Sequence, residues 1–308
     1  MIRRSKPPPA GLAALLAFAG AALVALPAWR AERLPRLIAA APHARTGLSW
    51  EAGGLWDEDA PADPPRSAVL LVHGLDEPGG IWDALAPAIA STGRRVARFD
   101  YPNDQPIADS ADLLRAALRD LHALGVERVE IVAHSMGGLV ARDALTRPSG
   151  PAPSVPLLIT LGTPHAGSAW AAWQPLAEAR EQVQRWAESD DRDPARLFAF
   201  THDGLGEAGV DLRPGSRYLT ELNARPAPAG TRIVCVVAVA ADVPLDAGIG
   251  GLSDAVSRLG DGVVPATSAA MPCADEVLLV HANHRSMVRP IELAEWVRRV
   301  LIGPQAPP

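Results

Sequence analysis

The stretch Ile131-Val132-Ala133-His134-Ser135-Met136-Gly137-Gly138-Leu139-Val140-Ala141-Arg142 constrains the fold more than any other part of the chain. A β-prone apolar run ends abruptly at a serine, and two glycines and an amphipathic helix follow at once. The pattern predicts a strand, a sharp turn and a helix, with Ser135 at the apex. A serine held there projects its hydroxyl from the C-terminal edge of a parallel sheet, with the N-terminus of the next helix beneath it. The Met136 amide and the positive end of that helix can both stabilise an oxyanion, so the setting suits a nucleophile. The usual turn is Gly-x-Ser-x-Gly, and Ala133 stands at its first glycine, where only a very small side chain fits. The plain alternative is a buried strand running into a glycine-containing helix start. The elements on either side favour the turn.

Those elements alternate strand and helix. Ser67–His73 is a continuous apolar run of the kind buried on both faces of a parallel sheet, and Gly74-Leu75-Asp76 follows it. A helix is expected from about Gly80, with Ile81, Leu85 and Ile89 on one side, and then a strand at Arg95–Asp100. After the loop Tyr101–Pro106, Ile107, Ala111, Leu114, Leu118 and Leu121 mark one buried helical stripe, which Gly125 stops. The nucleophile strand and its helix, to about Arg147, come next. Strands at Pro156–Leu161, Thr231–Ala240 and Glu276–Val280 and a closing helix at Pro290–Leu301 complete the alternation. The expected fold is α/β: a doubly wound, mostly parallel sheet of at least six strands, occupying residues 67–303. Residues 36–66 are expected to be linker and irregular cover, with Leu48–Ala52 a possible edge strand.

Residues 168–230 depart from the alternation. Connections in such domains usually run to a few residues, so about sixty here predict an inserted cap or lid. Its first part carries Trp170, Trp173, Leu176, Val183 and Trp186 near one side of a helix. Two readings stand together: a lipid-facing cover with Trp170 and Trp173 toward substrate, or tryptophans that pack the insert onto the body.

A serine hydroxyl is a weak nucleophile until a base takes its proton, and the base needs an acid to fix its tautomer. Behind a turn of this type, the acid and then the histidine follow in sequence. Asp261, in Gly260-Asp261-Gly262-Val263-Val264-Pro265, fits the acid, with Asp242 and Asp246 in reserve. Asp254 falls in a short predicted helix. Val280-His281-Ala282-Asn283-His284 offers two bases. His281 ends the strand, whereas His284 lies in a loop that can turn back to Ser135, so His284 is the choice. Its spacing from His281 could suit a metal, but no third ligand clusters with the pair, and neither metal nor cofactor is expected. The second oxyanion donor is expected from the Leu75 amide. Losing one such donor typically costs about 3 kcal/mol of transition-state stabilisation. His73 and His134 are expected to hold loop backbone, and His165 to shape the mouth of the site.

The N-terminus stands apart. Arg3, Arg4 and Lys6 precede an uncharged stretch from Ala10 to Ala28, about 19 residues and just long enough to span a bilayer. Residues 1–35 are therefore expected to be a signal anchor or a signal peptide. The enzyme would be anchored in the inner membrane with its domain on the periplasmic or extracellular side, or secreted. Arg30, Arg33 and Arg36 nearly balance the basic residues before the stretch, so the charge bias for orientation is weak. The 308-residue chain is 48% hydrophobic, enough for one large core, and its net charge of −6 argues against a nucleic-acid partner. Its two cysteines, Cys235 and Cys273, leave a bridge open, and the sequence fixes no oligomeric state.

His73-Gly74-Leu75, Ala133-His134-Ser135-Met136-Gly137-Gly138, Gly162-Thr163-Pro164-His165-Ala166-Gly167-Ser168 and Asp261-Gly262-Val263-Val264-Pro265 together resemble the bacterial lipase and esterase branch of the α/β-hydrolase superfamily. That branch includes the Ala-His-Ser-Met-Gly lipases and the GPI inositol-deacylase-like hydrolases. The resemblance covers about Val69 to Leu301. It implies an acyl-serine mechanism through Ser135, Asp261 and His284, with oxyanion amides from Leu75 and Met136. Some relatives hold a calcium ion near the histidine loop, and none is expected here because no dense acidic cluster lies there. A lipid or small acyl-ester substrate is the leading expectation. A thioesterase, amidase or acyltransferase on the same triad is the nearest alternative, and a non-catalytic membrane-tethered lipid-binding protein is the one from another class.

Overall fold

The structure is a computed structural model that describes residues 46–75, 79–147, 150–169, 207–246, 248–289 and 291–302. The strands are β1 (Gly47–Ala52), β2 (Leu55–Asp57), β3 (Ser67–Val72), β4 (Arg95–Asp100), β5 (Arg128–His134), β6 (Ser154–Leu161), β7 (Arg232–Val239) and β8 (Glu276–His281). They form one sheet in the order β2-β1-β4-β3-β5-β6-β7-β8. From β4 to β8 every pairing is parallel, giving the six parallel strands that the apolar runs predict. The hairpin β1–β2 adds an antiparallel edge through β1 on β4. The possible edge strand at Leu48–Ala52 is thus β1, and β2 extends the sheet further, where irregular cover was expected. Ser49 and Trp50 of β1 are buried there, and a strand of only three residues such as β2 offers too little pattern to stand out from linker.

Side chains alternate between the two faces of each central strand, so a strand covered on both sides is apolar along most of its length. Leu70 and Val72 of β3, with Ile131 and Ala133 of β5, join one core cluster. Val69, Leu71 and Val132 join the other. The first face is covered by α2 (Ile107–Ala123) and α3 (Met136–Thr146), the second by α1 (Leu85–Ala90) and α8 (Ile291–Ile302). The stripe expected on α2 is the buried one, with Ile107, Leu114 and Leu121 wholly inside. Each such fully buried aliphatic side chain contributes about 1.5–3 kcal/mol relative to exposure.

Two short helices, α4 (Glu207–Asp211) and α5 (Arg217–Asn223), belong to the stretch expected to be a cap. Ala208 of α4, Leu219 and Leu222 of α5, and Leu212 just after α4 are buried in the first core cluster, so this end of the insert is built into the body. An ion-pair network fastens it there. Asp143, buried on α3, takes both Arg147 (Nε to Oδ1, 2.5 Å) and Arg225 (Nη1 to Oδ1, 2.6 Å). Arg142 of α3 donates to Asn223 Oδ1 at 3.1 Å. Trp170 and Trp173, and the segment at residues 170–206, lie outside the described residues, as does the stretch from Ala10 to Ala28. Among the described residues no helix is long and apolar enough to cross a membrane. Two more short helices, α6 (Asp254–Leu259) and α7 (Ala266–Ala269), lie between β7 and β8, and Asp254 starts α6 as the sequence predicts.

Candidate active site

The turn after β5 is strained where the sequence places the serine. Ser135 has φ 52° and ψ −128° and is the only non-glycine residue with positive φ among the described residues. Such a conformation costs an L-residue about 1–3 kcal/mol. Gly260 holds the same pair of angles, and there the chain uses glycine. The fold thus accepts at position 135 a cost that it avoids elsewhere, in exchange for a side chain at the apex. Two neighbours make the turn possible. A Cβ on Gly137 would strike the Val72 and His73 carbonyls, and one on Gly138 would strike the Thr163 side chain. The first turn of α3 therefore lies directly against the ends of β3 and β6.

Ser135 Oγ lies 2.9 Å from His284 Nε2, and His284 Nδ1 lies 2.7 Å from Asp261 Oδ2. A carboxylate can only accept, so Nδ1 carries the proton and Nε2 is bare toward the serine hydroxyl. The other oxygen, Asp261 Oδ1, accepts from the Val263 and Val264 amides at 2.9 and 2.7 Å. The acid is 2% exposed and held on both oxygens, so it has one orientation. The His284 backbone is fixed at both ends: its N–H donates to Asp261 O at 3.0 Å, and its carbonyl accepts from His134 Nε2 at 2.9 Å. The chain order acid then histidine comes together at the C-terminal rim of the sheet, where β5, β7 and β8 end.

The other candidates fall elsewhere. Asp242 and Asp246 are exposed, and Asp261 takes the place beside His284. His281 is exposed at the end of β8, with Nδ1 3.2 Å from Ala241 O. His134 supports the His284 loop, and His73 supports Gly74 through Nδ1 at 2.9 Å from its carbonyl oxygen. His165 differs from expectation. It is 2% exposed, and its ring is committed inward to Arg142 Nη1 (3.0 Å), Thr160 Oγ1 (3.3 Å) and Cys235 Sγ (3.7 Å). Burial, and then the Arg142 charge, hold its pKa well below the ordinary histidine value, so the ring is neutral and accepts from the guanidinium. It braces the loop after β6 and does not line the mouth. Cys235 and Cys273 are free thiols, one buried and one exposed.

Two close neighbours of the triad and its oxyanion loop have roles that only the structure shows. Gly162 (φ 57°) sits under the acid–base pair. A Cβ there would come within 2.8 Å of Met287 Sδ, 3.0 Å of Asp261 Oδ2 and 3.3 Å of His284 Nδ1. Asn103, in the loop after β4, donates to the Gly74 carbonyl at 3.1 Å. No periodicity marks a loop residue of this sort, although the glycine after an apolar run at Gly162 was a visible hint. Among the described residues, no cluster of three His, Cys, Asp or Glu side chains is arranged to hold a metal.

Sheet order, crossover helices and the strained serine after β5 together define the α/β-hydrolase fold, and solved structures agree. Lipase BlEst2 of Bacillus licheniformis in its mature form superposes with a TM-score of 0.55 at 21% identity, over 82% of this chain and 99% of that one. A structure from work on carboxylesterases of the thaumarchaeon Nitrososphaera gargenis gives 0.52 at 17% identity, over 85% and 96%. The lin2722 gene product of Listeria innocua gives 0.50 at 15%, over 79% and 96%. In sequence, residues 104–198 match the PGAP1-like alpha/beta domain family, a span that includes β5, Ser135 and β6. No curated protein matches the chain.

Proposed function

We propose that this protein is a serine hydrolase of carboxylic esters, with lipids or other acyl esters as substrates. One observation carries the reading: the unbroken hydrogen-bond chain from Ser135 through His284 to Asp261, at 2.9 and 2.7 Å, anchored on a strained serine. Ser135 Oγ attacks the ester carbonyl while His284 Nε2 takes its proton. The resulting oxyanion is received by the Met136 and Leu75 amides. His284 returns the proton to the departing alcohol, leaving an acyl-serine. Water, deprotonated by the same imidazole, then releases the acid. Asp261 keeps the proton on Nδ1 and stabilises the imidazolium that forms. The fold neighbours described as a lipase and as carboxylesterases support this class of chemistry. The uncharged stretch from Ala10 to Ala28 and the tryptophans at 170 and 173 support a lipid substrate and an enzyme tethered to, or exported across, the inner membrane.

The direct test is a series of p-nitrophenyl esters from two-carbon to long acyl chains, with and without detergent micelles. Turnover that rises with chain length and increases in the presence of micelles is expected. A sharp preference for acetate with no response to micelles would make the protein a simple esterase, and no turnover of any ester would remove the reading.

The fit of Gly162 beneath the pair gives a second expected outcome. Gly162→Ala puts a methyl group against Asp261 Oδ2 and His284 Nδ1 in a conformation that alanine resists. A displacement of the imidazole by a few tenths of an ångström is expected to lower kcat by about 10–100-fold. Steady-state kinetics beside a thermal melt check this, since a variant of full activity would show that the loop yields instead.

A further inference from the structure

We propose that Asn103 and His73 are positioning residues that lock the Gly74–Leu75 peptide with its N–H turned toward the oxyanion, a role that rests on the ester-hydrolase reading above. The Gly74 carbonyl is gripped twice, by His73 Nδ1 at 2.9 Å and Asn103 Nδ2 at 3.1 Å. A carbonyl oxygen only accepts, so His73 carries its proton on Nδ1 and Asn103 presents its NH2. His73 Nε2 in turn faces the Tyr101 N–H at 3.4 Å, so it is bare, and the neutral tautomer is specified from both sides. Tyr101 stacks on the His73 ring at 4.4 Å, Phe99 stacks behind Tyr101, and the Tyr101 hydroxyl donates to the His73 carbonyl at 2.6 Å. Two successive carbonyls of the loop are thus held from the β4 side.

The peptide plane converts that grip into a direction. In a trans peptide the C=O and the following N–H point opposite ways, and no cis peptide occurs among the described residues. Strand β3 lies between β4 and β5, with Val72 opposite Phe99 on one side and Ala133 on the other. A Gly74 carbonyl drawn toward the β4 loop therefore sends the Leu75 N–H toward the β5 side, where Ser135 stands. Glycine at 74 brings no side chain that would restrict this peptide's rotation. A flipped peptide would present a carbonyl to the oxyanion and strip both donors of their acceptor. The oxyanion hole is therefore preformed by a side chain from the loop after β4, a strand that contributes nothing to the triad.

Asn103→Asp tests the donor alone, because it keeps the shape and turns an oxygen toward the Gly74 carbonyl. Asn103→Ala removes the group. The readouts are kcat, KM, the melting temperature, and the affinity for a trifluoromethyl ketone, which adds to the serine and places an oxyanion in the hole. Both variants are expected to lose kcat by about 10–100-fold with KM within about twofold. Ketone affinity should fall in the same proportion and the melting temperature should hold. Wild-type kcat in either variant, or lost kcat with undiminished ketone affinity, would overturn the latch. A wild-type protein that neither hydrolyses esters nor takes a fluorophosphonate label at Ser135 would instead overturn the hydrolase reading, so the two failures are distinct.

Discussion

Ser135→Ala is expected to lower kcat for ester hydrolysis by about 10⁴–10⁶-fold, to the residual level that substrate binding and the oxyanion donors sustain without a nucleophile. The physical reason is that His284 and Asp261 do nothing without an oxygen to deprotonate. They form one unit with Ser135, so His284→Ala should cost about as much, and the double variant little more. The same site makes a second, opposite expectation for stability. Ser135 holds φ 52°, which costs about 1–3 kcal/mol, whereas Gly260 holds the same angles without strain. Ser135→Gly relieves that strain and loses part of the gain to the greater freedom of the unfolded chain, worth about 0.4–1 kcal/mol. A net stabilisation of about 1 kcal/mol is therefore expected in an inactive protein, measured by denaturant unfolding beside the kinetic assay. Hydrolysis that survives in either variant would exclude Ser135 as nucleophile. A glycine variant no more stable than wild type would mean that the turn relaxes around the serine.

The parts of the molecule that were legible in the sequence are those where one local pattern has one structural solution. Short β-branched apolar runs bounded by turn residues, such as Ala68–Val72 and Ile131–Ala133, fit strands covered on both faces, and the stripe from Ile107 to Leu121 fits a helix with one buried side. The serine turn was legible because its glycines are demanded by backbone contacts: Gly137 against the end of β3 and Gly138 against Thr163. What stayed hidden depends on partners distant in sequence. His165 looks like a mouth residue until Arg142, Thr160 and Cys235 are seen around its ring. Leu212, Leu219 and Leu222 look like part of a cap until they are found in the main core. Asn103 carries no local signal, because its role is defined by a carbonyl 29 residues earlier.

Asp261→Asn is expected to lower kcat by about 10⁴-fold while leaving the fold intact, because it reverses the proton arrangement of the base. Asp261 Oδ1 accepts from the Val263 and Val264 amides, and those two donors oblige the asparagine to keep its own oxygen on that side. Its NH2 must then face His284 Nδ1, which has to give up its proton to accept. The proton moves to Nε2 and points at Ser135 Oγ, so the imidazole donates where it should receive. An imidazole in this tautomer cannot act as the general base, although every heavy atom stays within a few tenths of an ångström of its place. Asp261→Ala is a different lesion: it leaves the two buried-loop amides without acceptors, at about 1–3 kcal/mol each, and so should lose stability as well as rate. Asp242→Asn and Asp246→Asn, at exposed positions, should leave kcat within about twofold of wild type, since neither touches the base. Measuring kcat and unfolding midpoints for the four variants separates these cases. An Asp261→Asn enzyme retaining a tenth of wild-type turnover, or an Asp246→Asn enzyme losing it, would move the acid away from position 261.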